Sequence, residues 1–148
     1  MGFRLTERFQ ICIRAEIHMW GSISADGRSV QAARAVLGIN DEALLCYGTQ
    51  LQTSEEPYGW TFLNVQISSS DNVERLQQEM KQLGCLLIAV TDNLGYVSFE
   101  YCVDGTENSD GSTTLTVTEA DADALAGQSV KAMSQTPAGL QKLVELIK

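Results

Sequence analysis

His18 is the chain's single histidine, so any nucleophile–histidine chemistry would have to run through it. It alternates with apolar Ile17 and Met19 and shares a face with Glu16 and Arg14, which is the setting of a sheet-surface side chain satisfied by its neighbours. The sequence holds no GxSxG, GxGxxG or HExxH pattern and no phosphate-cradling GxxxxGK loop. Carboxylates are plentiful but scattered, and spacing singles out no acid–base pair. Four cysteines, Cys12, Cys46, Cys85 and Cys102, stand far apart with no CxxC motif, so they read as free thiols packed as small hydrophobes. The segment DGTENSDGS at residues 104–112 offers oxygen ligands beside glycines, yet taking Gly111 as an EF-hand turn glycine puts Val117 where the last acidic ligand belongs. That segment reads as a solvated loop. No catalytic residue, metal or cofactor is expected.

Charge and aromatic side chains carry more. The chain has 19 acids against 10 bases, for a net charge of −9. Through residue 34 the bases outnumber the acids, so the acidity belongs to the later part. From Glu100 to Asp123 come Glu100, Asp104, Glu107, Asp110, Glu119, Asp121 and Asp123 with no lysine or arginine among them. Such a field repels nucleic-acid phosphates and favours a basic partner. Tyr58 and Trp60 flank a turn that also holds Glu55 and Glu56, a pairing of aromatic anchors with acids suited to a protein interface. The competing reading of Trp60 is a side chain that closes the edge of the core. Tyr96 and Glu100 extend the same acidic, aromatic surface if the second face of the sheet is open.

The elements that must position these residues follow from hydrophobic periodicity. Residues 8–19 alternate strictly and predict a strand with Ile11, Ile13 and Ile17 buried. Ser29 opens a short helix with Val30, Ala33 and Leu37 on one face, ended by Gly38. Residues 43–52 and 60–68 read as strands, the second with Leu63, Val65 and Ile67 on one side, joined by a hairpin loop at residues 55–59. Asp71 and Glu74 have capping-box spacing for a helix over residues 71–83, with Gly84 as its terminator. The apolar run at residues 85–90 reads as a strand in hairpin with a second at residues 96–103, where Val97, Phe99, Tyr101 and Val103 point inward. A strand at residues 113–118 and two helices complete the chain. The first of these helices is capped by Thr118, with Leu125, Ala126, Val130 and Met133 inward and Gly127 weakening it; the second starts at Thr136-Pro137 and carries Leu140, Leu143, Val144 and Ile147.

The resulting order predicts a single α+β domain over residues 1–148, ferredoxin-like (βαββαβ), with an antiparallel sheet, helices on one face, an extra strand or hairpin, and residues 119–148 as a C-terminal helical appendage on the same core. No apolar run reaches the roughly 20 residues of a membrane span and the N-terminus lacks the pattern of a secretory signal, so a cytoplasmic location is expected. Fold carries little functional weight. Charge, size and the missing motifs together point to a small acidic, non-enzymatic protein-binding module, an inhibitor of a basic protein partner such as an immunity protein or a phage anti-defence inhibitor. The expected contact residues are Glu55, Glu56, Tyr58, Trp60, Glu100, Asp104, Glu107 and Asp110, with no direct nucleic-acid or membrane binding and homodimerisation open. The alternatives are a ferredoxin-like small-molecule-binding regulatory domain and a motif-poor enzyme using scattered carboxylates.

Overall fold

The computed structural model describes residues 28–39, 48–67, 72–91, 93–103 and 113–148. The long alternating segment at residues 8–19, the loop at 104–112, His18, Trp20, Cys12 and Cys46 lie outside the described residues. Those described form helix α1 (Arg28–Leu37), strands β1 (Gly48–Gln52) and β2 (Tyr58–Ile67), helix α2 (Val73–Val90), strands β3 (Leu94–Val103) and β4 (Thr113–Thr118), helix α3 (Glu119–Ala126), the single turn α4 (Val130–Met133) and helix α5 (Pro137–Ile147).

The strands make one mixed sheet in the order β1-β2-β3-β4. β1 and β2 are an antiparallel hairpin, β2 and β3 run parallel, and β3 and β4 are antiparallel. The architecture is therefore α+β with helices on a single sheet, but the antiparallel βαββαβ order expected from the sequence is not what these strands form. The reason lies in α2. The apolar run at residues 85–90, read as a strand, is the second half of one helix that continues through Gly84 to Val90. A short run buried on every side carries no periodicity to separate strand from helix. With residues 85–90 helical, the connection from β2 to β3 becomes a crossover, and crossovers join parallel strands.

Gly84 does not end α2 because it serves an approach. A Cβ there would lie 3.0 Å from Val117 Cγ2, so its missing side chain lets the helix sit against β4. The start of α2 is also shifted: Asn72 is the N-cap, its Oδ1 accepting from the Arg75 amide at 3.0 Å. From Leu83 to Val90 every residue is buried, between α1 on one side and the sheet on the other.

The inner face of the sheet is aromatic. Trp60, Phe62 and Phe99 stack with centroids 5.2 and 5.0 Å apart. The expected parity of β2 holds only in its second half. Val65 and Ile67 are buried as predicted, but Leu63 is half-buried and Trp60 and Phe62 take the inward positions. An irregularity between Phe62 and Val65 resets the alternation, as one unpaired residue must. In β3 the expected inward set holds at Val97, Phe99 and Tyr101.

After β4 the chain turns into α3 through a reciprocal cap. Thr118 Oγ1 accepts from the Asp121 amide at 3.1 Å and Asp121 Oδ2 accepts from the Thr118 amide at 3.0 Å. Gly127, at φ 77°, terminates this helix, where the sequence suggested one longer weakened helix. Ala122 and Ala126 face inward, while Leu125 is 42% exposed. Val130 and Met133 reach the core from the separate turn α4, and Leu140, Leu143, Val144 and Ile147 do so from α5, as their spacing predicts. All three C-terminal helical elements contact α2.

Candidate functional site

One end of the sheet gathers residues from four separate stretches of the chain. The β1–β2 turn brings Glu56 and Pro57, the end of the α2–β3 turn and the start of β3 bring Asn93, Leu94 and Gly95, α3 begins at Glu119, and α4 supplies Lys131; together they line a cleft of about 460 Å³. The parallel pairing of β2 with β3 creates the site, because it places the entries to both strands side by side. Gly95 closes the junction between turns: a Cβ there would lie 2.2 Å from Pro57 Cβ, inside van der Waals contact.

Sequence-local interactions shape the walls. Gln52 Oε1 accepts from the Ser54 amide at 2.9 Å and the Glu55 amide at 3.4 Å, folding the turn that projects Glu55 and Glu56 into solvent. Lys131 is fixed from below. Its ammonium donates to Thr91 O at 2.7 Å and Ile88 O at 3.1 Å, carbonyls at the C-terminal end of α2. That end has no basic residue of its own in its last turn, so a lysine from α4 meets both the orphan carbonyls and the negative end of the helix. Ser134 Oγ donates to Ala89 O in the same cluster. With Lys131 so engaged, the carboxylates of Glu56 and Glu119 are the remaining ionised side chains among the described residues of the cleft.

The structure separates the residues that the sequence grouped. Glu55 and Glu56 are both exposed, Glu56 alone of the two lining the cleft, and Tyr58 is half-buried in the first position of β2. Trp60 is 3% exposed and stacked on Phe62, so it belongs to the core, the competing reading above; its Nε1 meets no acceptor. Glu100 is half-buried on β3, five residues beyond Gly95 and therefore about 17 Å along the strand from the cleft. Asp104, Glu107 and Asp110 lie outside the described residues. Sequence reasoning counted Glu119 as one acid among many and passed over Lys131, Asn93 and Gly95. Only the tertiary meeting of the two turns gives those residues a common place.

Among the described residues no group of histidine, cysteine or acidic side chains could hold a metal ion, and no helix is long and apolar enough to cross a membrane. Compared with known protein families, curated proteins and solved structures, the chain matches none.

Proposed function

We propose that this chain is an acidic protein-binding module that receives a basic segment of a partner protein in the cleft between Glu56 and Glu119, inhibiting the partner by covering the surface it binds. The observation that supports this is the convergence of two carboxylates 63 positions apart in sequence on one cleft whose lysine is already held by backbone carbonyls. A lysine or arginine entering there meets two acceptors beside Pro57, Asn93, Leu94 and Gly95. The net charge of −9 adds steering over distances of about 10 Å at 0.1 M salt.

The test is kinetic. A partner captured from the native host is measured by surface plasmon resonance against the parent and the E56Q/E119Q double variant at several salt concentrations. The variant is expected to associate roughly tenfold more slowly, with a flatter dependence on salt. Association that is salt-independent in the parent, or unaltered in the variant, would rule the reading out.

A further inference from the structure

On the sheet face turned away from α2, a second cleft of about 470 Å³ is lined by Gln50, Leu51, Gln52, Thr53, Ser54, Thr61 and Tyr96. In a chain of net charge −9, the described residues of its lining include no ionised side chain. Gln50 pairs across to Thr61, Thr61 to Ser98 and Ser98 to Thr116, so one row of neutral donors and acceptors crosses all four strands. The outer half of that row satisfies itself, Ser98 and Thr116 sharing a hydrogen bond of 2.9 Å. The half in the cleft does not: the Gln50 amide, the Thr61 hydroxyl and the Tyr96 hydroxyl have no side-chain hydrogen-bond partner among the described residues. Gln52, whose Oε1 is held by the turn amides, keeps its NH2 group as a fixed donor.

Tyr96 supplies a platform among these groups. A Cβ on Gly59 would fall 1.9 Å from Tyr96 Cζ and 2.4 Å from its Oη, so the hydroxyl end of the ring lies over Gly59 of β2, in space that a side chain there would fill. Gly59 pairs with Gln52 on β1, and both Gln52 and Tyr96 line the cleft.

We infer that this cleft binds a neutral oligosaccharide, one pyranose ring lying on Tyr96 and its hydroxyls hydrogen-bonded by Gln50, Gln52 and Thr61. Sugar rings present a C–H face suited to an aromatic platform and an edge of hydroxyls that both donate and accept, which planar amides match. A phosphate-bearing ligand is disfavoured by the charge of the whole chain and by a lining that has no cation among its described residues. This site is distinct from the acidic cleft and does not depend on it.

Gly59→Ala tests the geometry with little cost to the fold, because the added methyl meets only the far end of a side chain that can swing away. Calorimetric and saturation-transfer NMR titrations would use cellotetraose, maltotetraose and chitotetraose as probes, with an uncharged tetrapeptide beside them, against the parent, G59A, Q50A and E56Q/E119Q. Saturable binding of at least one glycan is expected, weakened at least tenfold in G59A and several-fold in Q50A and unchanged in E56Q/E119Q, with all variants shown folded by circular dichroism. Absence of binding to all three glycans, equal binding by G59A and the parent, or saturation by the peptide in their place would overturn it.

Discussion

Cys85 sits inside α2 with its side chain buried and its Sγ 3.9 Å from the Ala122 carbonyl oxygen. Burial, reinforced by the nearby Asp123 carboxylate, pushes its thiol from 9.0 up to about 12. The consequence for stability has a definite sign. Below pH 9 the thiol is protonated in both folded and unfolded chains and contributes nothing to pH dependence. Between about pH 9 and 12 the unfolded chain releases the proton while the folded one keeps it, so stability falls as pH rises, by at most roughly 1.4 kcal/mol per pH unit from this group. Denaturant titrations across that range should show a shallower loss in Cys85→Ala than in the parent, after allowing for the smaller side chain. Equal slopes would mean the thiol is not shielded. Lys131 contributes through hydrogen bonds instead, its ammonium donating to two backbone carbonyls. Lys131→Met keeps the length of the side chain but leaves the carbonyls of Ile88 and Thr91 without that donor, and should cost about 1–3 kcal/mol in chemical denaturation. A cost near zero would show that water replaces the ammonium there.

At the scale of elements, the C-terminal third was the most legible, because capping chemistry is local. Thr118 with Asp121, Thr136 with Pro137, and the stripe from Leu140 to Ile147 act through neighbours within a few residues, and sequence spacing carries that information. Thr118→Ala removes the acceptor for the Asp121 amide and should destabilise the protein by about 1 kcal/mol, read as a shift in denaturation midpoint at unchanged slope. Residues 84–90 were the least legible. Gly84 looks like a helix terminator, and only the position of Val117 from a strand over thirty residues away shows why a helix interior keeps it. Ordinarily Gly→Ala in a helix gains about 1 kcal/mol. Here Gly84→Ala should instead destabilise, since the methyl would press on Val117 Cγ2 and Cβ at 3.0 and 3.1 Å and both helix and strand are packed on their far sides. The acidic cleft was illegible for the same reason. Glu56 and Glu119 line one cleft only because β2 and β3 run parallel, a consequence of residues 85–90 being helical.

For the whole molecule, the excess of acids makes two opposite demands on salt. Self-repulsion among 19 acids against 10 bases opposes compaction, and it weakens as the Debye length drops from about 30 Å at 0.01 M to about 8 Å at 0.15 M salt. The melting temperature should therefore rise over that range. A fold held mainly by surface ion pairs would move the other way, and the pair between Arg75 and Glu79, at 3.9 Å on the exposed side of α2, is of a kind worth only a few tenths of a kcal/mol. The proposed association with a basic partner would depend on the same field in the reverse sense, because screening removes the attraction that speeds encounter. Raising salt is thus expected to stabilise the free chain and slow its association in the same buffers. Differential scanning calorimetry paired with stopped-flow binding would measure both responses. A melting temperature that falls with salt would locate the stability in ion pairs. A rising melting temperature with salt-independent association would confine the charge to the stability of the free chain.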